Sequence, residues 1–364
     1  MKARYIAWLG LLGAAILAGL FTAFRLFTEG HEIFNANDVV IWTLPIGAYV
    51  FFALTSSGLG LLSALPLLFG DKLYQSAAKR IVMLGIATLL AAFISIGLEL
   101  GSLNHILYIF LSPNFASPIQ IMGFIYSAEL VCLLVKFWRM MAGDLDSWLS
   151  KLAGLGSFVT ALFGPLVLGS VFGITEARPT FFGSFLPILS LVIAVVSGLA
   201  AFLLYSAVVH LLRGQSGQGV AQEQTADAGK KLVFSLFITL LFYLLWAVYR
   251  AGTSLPEFAT DANFSLALIL LAPFLMMLVP SLRAARWGQV VAGVVTLGSI
   301  FALHMSVILA GQVRPMGPKA EGMPAVLSYT PSLWEYLVLV LSLAVLLLVA
   351  TLAERYLRLE PQTS

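Results

Sequence analysis

The stretch SIGLELGSLNHILYIFLSPN, residues 95–114, sets a carboxylate, a carboxamide, an imidazole and a phenol into otherwise apolar sequence: Glu99, Asn104, His105 and Tyr108. On a helix, positions 101, 104, 105 and 108 fall three and four apart and share one stripe, which Ser112 extends. Burying such groups is costly unless they find partners, so the stripe is expected to face the interior of a helix bundle or a polar cavity. His and Tyr side chains donate hydrogen bonds to a carbonyl oxygen, and a nearby carboxylate exchanges the protons that accompany two-electron redox change. The set suits a quinone head group. A purely structural network joining helices would draw on the same residues.

A second polar pair lies in IMGFIYSAEL, residues 121–130. Tyr126 is placed to complete a pocket against the first stripe, and Glu129, deeper, to continue a proton path with Glu99. The alternative is an aromatic packing residue and a carboxylate hydrogen-bonded to Ser or Tyr. His304 and Glu335 are secondary candidates, each with a structural reading of its own. Asp38 and Arg178 are short-loop charges near helix ends, at the expected entrance to the pocket, and Pro179 constrains the approach to the following helix. The acidic loop EGHEIFNAND, residues 29–38, either caps that mouth, meets a partner protein or is ordinary solvated charge.

These groups need elements that hold them at membrane depth. Of 364 residues, 60% are hydrophobic and 10% charged, with a mean hydropathy of +0.99, far from the composition of a soluble domain. Thirty-seven charged residues (20 Lys and Arg plus 17 Asp and Glu) cannot cover a water-soluble chain of this length, so apolar surface must face lipid. The pattern predicts an all-α integral membrane protein with ten transmembrane helices near 5–27, 39–69, 81–111, 118–140, 152–174, 184–211, 232–250, 264–280, 288–311 and 333–353. Roughly 20 residues cross about 30 Å of hydrocarbon, so the second, third and sixth are long enough to tilt or project. The eighth, with Pro273 inside and Pro280 at its end, is the weakest.

Threading the spans alternately leaves only Arg25, Arg178, Arg250, Arg314 and Lys319 on the outer side, and so 15 of the 20 Lys and Arg residues (20 minus 5) on the inner side. By the positive-inside rule both termini are expected in the cytoplasm, the protein lying in a bacterial inner membrane. The N-terminal MKARYIAWLGLLGAAILAGLF has the basic start of a signal peptide, but its apolar body is long enough to be read as a retained first helix.

The expected organisation is a first helix and outer loop (1–38), a first set of four helices (39–174), a second set (175–311) containing a flexible Gly/Gln/Ala-rich inner linker (212–231), and a last loop, helix and tail (312–364). A weak internal repeat joins the two sets: TLPIGAYVFFALTSSGL at 43–59 and FLPILSLVIAVVSGL at 185–199 share an early Leu-Pro-Ile and a later Ser-Gly-Leu.

Several function classes are excluded. The lone Cys132 can form neither an intrachain disulfide nor a cysteine-ligated cluster. There is no GxGxxG unit in a βαβ setting, no P-loop, no HExxH and no CxxC. The basic residues sit in short loops, which argues against nucleic acid. His31, His105, His210 and His304 lie on different segments at different expected depths, which disfavours a paired haem ligation, although His105 and His304 share the outer half.

The chain resembles the NrfD/polysulfide reductase membrane-subunit family, and in particular its ten-span branch of hydrogenase and alternative-complex-III quinone subunits. The resemblance rests on ordered blocks: Trp42–Leu65, Ser112–Leu130, Glu176–Leu204, Leu309–Pro315 and Leu327–Tyr336. Ala177–Pro179, Gly311–Gln312 and Tyr329–Glu335 carry much of it. The resemblance implies two four-helix bundles at the core and neither haem nor iron–sulfur cluster in this chain. It implies a quinone-interacting anchor without a catalytic centre of its own. Its partners would be an iron–sulfur electron-transfer subunit on the periplasmic face and a separate catalytic subunit, often a molybdopterin enzyme. Family quinone pockets lie near the outer face and use His, Tyr, Asn and acidic groups.

The expected function is exchange of electrons between the menaquinone or ubiquinone pool and the iron–sulfur partner, at a pocket lined by Glu99, Asn104, His105, Tyr108 and Tyr126. The rival from another class is a proton-coupled secondary transporter working through Glu99 or Glu129, suggested by the partial repeat and the Pro-interrupted spans.

Overall fold

The computed structural model describes residues 2–100, 106–213, 219–252, 268–317 and 320–359, and the regular structure in them is helical. Among the described residues, nine helices are long and apolar enough to cross a membrane. They are α1 (Lys2–Glu29), α2 (Leu44–Leu67), α3 (Ala78–Glu99), α5 (Pro118–Met141), α6 (Trp148–Gly173), α7 (Phe185–Arg213), α8 (Val220–Gly252), α11 (Arg286–Ala310) and α12 (Leu333–Tyr356). The short helices α4 (Tyr108–Leu111), α9 (Leu271–Leu278) and α10 (Pro280–Ala284) lie between them. Large apolar side chains such as Leu17, Phe24, Val131, Phe163, Phe234 and Leu245 stand exposed along these helices, as a lipid-facing surface requires.

The two chain ends share one side of the array, termed the inner side, where the Arg355 guanidinium lies 4.2 Å from the centre of the Tyr5 ring. There Glu354 of α12 pairs with Arg80 of α3 at 2.8 Å and Arg213 of α7 at 2.5 Å. The outer end of α8 is marked by Phe185, at the start of α7, against Tyr243 and Trp246. The inner start of α11 is marked by Arg286 Nη1 on the His210 carbonyl of α7. Between Gly252 and Arg286 the described residues include the short apolar segment Leu268–Leu278, and residues 253–267 lie outside them. That segment falls where the eighth span is expected.

Burial is greatest on α2, α3 and α7, and for α2 and α7 the backbone explains why. A Cβ on Gly58 would stand 1.8 Å from the Ala194 carbonyl oxygen, and one on Gly198 would stand 2.3 Å from the Gly58 carbonyl carbon. The two helices thus cross backbone to backbone, a contact open only to glycine and the form helix association takes where lipid offers no hydrophobic drive. Gly58 and Gly198 are the glycines of the two Ser-Gly-Leu elements in the internal repeat, so the repeated segments meet at their equivalent positions. Around this crossing α2 also packs on α3, α6, α11 and α12, and α7 on α6, α8 and α11. α1 docks on α12, with Gly19 against Leu341.

Two expectations are corrected. The third span does not run as one helix over 81–111: α3 stops at Glu99, Leu100 is extended (φ −69°, ψ 125°), and past residues 101–105, which lie outside the described residues, α4 is a single turn. Apolar length alone cannot reveal such a break, because extended residues at a membrane surface can be as apolar as helical ones. The inner linker is not flexible over its whole length either, since α8 begins at Val220 and runs through Lys231, its Gln, Ala, Glu and Lys residues being good helix formers. Residues 214–218 of that linker lie outside the described residues.

Candidate functional site

Helix α2 begins in an unusual way. Its N-cap, Thr43, does not cap: the Thr43 hydroxyl donates to Glu99 Oε1 at 2.8 Å, and Thr43 N–H points at the same oxygen at 3.4 Å. The first helical amide, Leu44 N–H, donates instead to the Tyr329 hydroxyl at 2.8 Å and lies 3.4 Å from Glu335 Oε2. Tyr329 in turn donates to Glu335. Two carboxylates from α3 and α12 are thereby held against the positive end of α2, where the helix dipole favours negative charge.

Glu335 is fully used. Its Oε1 accepts from Asn35 N–H at 2.7 Å and from Ser332 N–H at 3.2 Å, closing a capping box that starts α12. Glu99 is only half used, for Oε2 is enclosed without a hydrogen-bond partner among the described residues. The start of the outer loop binds next to it, where His31 Nε2 donates to the Glu99 backbone carbonyl at 2.7 Å. Tyr329 lies outside the spanning segments, and its phenol is pushed above the usual range, first by burial and then by its bond to Glu335, so it stays a donor.

Gln312 locks the rest of this outer end. Its Oε1 accepts from Ile41 and Trp42 N–H at 3.0 and 2.8 Å, and its Nε2 donates to the Trp42 carbonyl at 3.1 Å. Arg178 Nη1 donates to the carbonyls of Gln312 and Arg314 at 3.3 and 2.8 Å. The Phe181 ring lies where a Cβ on Gly311 would sit, 2.0 Å from its nearest carbon, and also meets Trp42 and Phe172. The Ala-Arg-Pro and Gly-Gln elements are two halves of one contact, Arg178 meeting the Gln312 carbonyl 134 residues away.

A second polar group sits at mid-helix. Glu129 of α5 is fully buried, with Oε2 accepting from Ser57 Oγ at 3.0 Å and Oε1 3.5 Å from Ser56 Oγ. Tyr126, one turn before it, is equally buried and stands edge-on to Tyr49, ring centres 6.2 Å apart. Further along α5, Lys136 is 3% exposed and donates to Ser63 Oγ at 2.7 Å and Ser157 Oγ at 3.0 Å. Both serines spend their own protons on helix carbonyls, Gly60 and Gly154, which turns their lone pairs toward the ammonium. Lys136 also lines an inner-side cavity of about 440 Å³ with Lys79, Arg139, Ser150 and Lys151.

The expected site residues are therefore distributed, not gathered. Asn104 and His105 lie outside the described residues. Glu99 is the last residue of α3, and its described partners do not include Tyr126. Tyr108, on α4, is 56% exposed. Asp38 is exposed, and Arg178 is engaged in the Gln312 contact. His304 is buried with Nδ1 unpartnered, lining with Ser190 and Tyr243 a cavity of about 30 Å³. Cys132 packs against Gly156, whose Cβ would lie 2.7 Å from its sulfur.

Lys136 escaped the reading of the sequence as a functional group, because a lysine five residues from a helix end looks like a topology signal. The period of three and four from Tyr126 through Glu129 and Leu133 to Lys136 was the available clue, since all four share the buried face of α5.

Two comparisons bear on this arrangement. Residues 31–316 match the family described as polysulphide reductase, NrfD. A protein of Archaeoglobus fulgidus described as an Hdr-like menaquinol oxidoreductase integral membrane subunit is 24% identical over 99% of this chain and 94% of its own length.

Proposed function

We propose a function from one premise: the chain belongs to the polysulphide reductase, NrfD, family. It is a multi-pass, membrane-embedded subunit of a quinone-associated respiratory oxidoreductase family. In our reading it is a ten-span member with two four-helix bundles, both termini cytoplasmic. It passes electrons between the quinone pool and an iron–sulfur subunit docked on the outer, periplasmic face, with a separate catalytic subunit beyond, of the molybdopterin class common in the family. The name of the Archaeoglobus fulgidus relative supports menaquinol over ubiquinol.

The observation that carries this reading is Glu99. One carboxylate oxygen is fixed by Thr43 and the other is buried and unpartnered among the described residues, which suits a side chain waiting for a donor from a ligand. A quinol, when bound, supplies two electrons and two protons. Glu99 accepts a proton at Oε2 while Thr43 holds its orientation through Oε1. Asn104, His105 and Tyr108 follow α3 in the chain and are assigned to the head group. Asp38 and Arg178 lie at the entrance. Tyr126 and Glu129 are assigned to proton movement deeper in the protein. Lys136 joins that path, because it reaches from the buried face of α5 to the inner cavity.

The test is a quinol titration of the intact complex comparing Glu99→Gln and His105→Ala. The reading expects quinol-dependent turnover to fall by about ten-fold or more in each, the usual scale for a positioned acid–base group. Unchanged turnover and quinol affinity in both would remove the site. Proton-coupled solute uptake by the isolated chain would favour the transporter.

A further inference from the structure

The crossing of α2 and α7 at Gly58 and Gly198 has a consequence at the lipid surface. Helices that touch at one point diverge on either side of it. One of the resulting wedges is lined by the inner half of α2 (Leu61, Leu65), the outer half of α7 (Leu191, Val195) and α8 (Phe234, Ile238). It forms a groove of about 700 Å³, apolar along its length. Its rim on α8 carries Lys230 and Lys231.

The two lysines differ. Lys231 pairs with Asp227, which also accepts from the Tyr74 hydroxyl at 2.8 Å, and its ammonium lies 5.0 Å from the centre of the Tyr74 ring. Lys230 is exposed and has no ion pair among the described residues. An apolar groove open to the bilayer, ending in two lysines that share one nearby carboxylate, Asp227, has a net positive end and is complementary to a molecule with a long hydrocarbon body and a net negative head. Zwitterionic lipids fit less well, since their ammonium would lie beside two lysines. A helix of another protein would need an acidic side chain at the depth of Lys230.

We propose that this groove holds one anionic phospholipid of the inner leaflet, its acyl chains between α2, α7 and α8 and its phosphate on Lys230. From Lys230 to Ile238 the groove follows eight residues of α8 (238 minus 230), about 12 Å, so the upper part of an acyl chain is enclosed and the rest stays in the bilayer. Juxtamembrane lysines attract anionic lipid in the same way, but annular attraction alone leaves the lipid free to exchange. The groove adds the enclosure. The proposal does not depend on the quinone reading.

The test is lipid retention by the full chain, purified in its complex from membranes containing both phosphatidylglycerol and phosphatidylethanolamine and washed until bulk lipid is gone. About one phosphatidylglycerol per chain should remain, identified by mass spectrometry of the extract. Lys230→Gln should lower its retention by about five-fold, the size expected of one lysine at an anionic lipid surface. Val195→Trp, which fills the groove, should remove lipid of either head group. Lys151→Glu, an exposed lysine outside the groove, should change nothing. A wild-type chain that retains no lipid, retains both head groups in their bulk ratio, or retains as much after Lys230→Gln would overturn the proposal. Loss of the lipid in Lys151→Glu as well would reduce it to general surface charge and also overturn it.

Discussion

Thr43 and Ser63 stand 20 residues apart on α2 (63 minus 43), and each holds a side chain reaching in from another helix, Glu99 at Thr43 and Lys136 at Ser63. At 1.5 Å per residue the separation is about 30 Å, the thickness of the hydrocarbon layer. Between them Tyr49 faces Tyr126, and Ser57 holds Glu129. Tyr49, Ser56 and Ser63 recur every seven residues and so share one face of α2. The buried polar groups of the first half of the chain are thus strung along a single helix instead of forming one pocket.

At the outer end of that helix, Thr43→Ser should keep the bond to Glu99, and Thr43→Val should lose it. Valine is expected to cost about 1–3 kcal/mol, since a carboxylate loses its donor in a buried place. It should lower quinol-dependent turnover while serine keeps it. Thermal unfolding and steady-state assays on the same preparations check both, and equal behaviour of the two variants would rule out an orienting role for Thr43.

The mid-helix group makes a different prediction, one about protons. Glu129→Gln keeps the shape and the Ser57 contact but cannot exchange a proton at the same site. Quinol turnover in detergent should stay within about two-fold, because no transferred electron passes this residue, whereas proton movement in vesicles should fall by about ten-fold. Lys136→Met should act in the same direction. Vesicle acidification unaffected by both would leave the buried pair as a helix-joining network.

Tyr329→Phe removes both the acceptor for Leu44 N–H and a donor to Glu335, at an expected cost of about 1–3 kcal/mol at pH 8. The sign of its pH dependence follows from the raised phenol. Its folded-state advantage is present below the unfolded tyrosine pKa of about 10 and is lost as pH rises beyond it. The stability gap between wild type and Tyr329→Phe should therefore narrow above about pH 10, measured by unfolding across pH 8 to 11. A gap that widens would contradict the assignment.

Helix contact without side chains leaves no slack. Gly58→Ala would drive a Cβ into the Ala194 carbonyl, and its expected cost is about 3 kcal/mol or more, seen as loss of monodisperse protein on size exclusion. Gly10→Ala, with nothing within 4 Å, should be tolerated. Normal yield and melting for Gly58→Ala would mean that α2 and α7 do not meet as closely as described.

Composition and the spacing of apolar runs were enough to establish a helical membrane protein and its long apolar helices, because lipid contact is a property of each segment taken alone. Ordered blocks were enough to point to the family. Glu129 was recognisable as a buried carboxylate for the same local reason. The break after Glu99 was not recognisable, and with it went the single span that placed Glu99 and Tyr108 on one helix. Which groups face one another was decided only by the tertiary fold. Thr43 serves Glu99 and not its own helix, Phe181 fills the place of a Gly311 side chain, and Lys136 turns inward to two serines. Each of these depends on the rotation and crossing of helices far apart in the chain, and that rotation is set by contacts such as Gly58 on Gly198, where the pattern within one segment carries no information about the other.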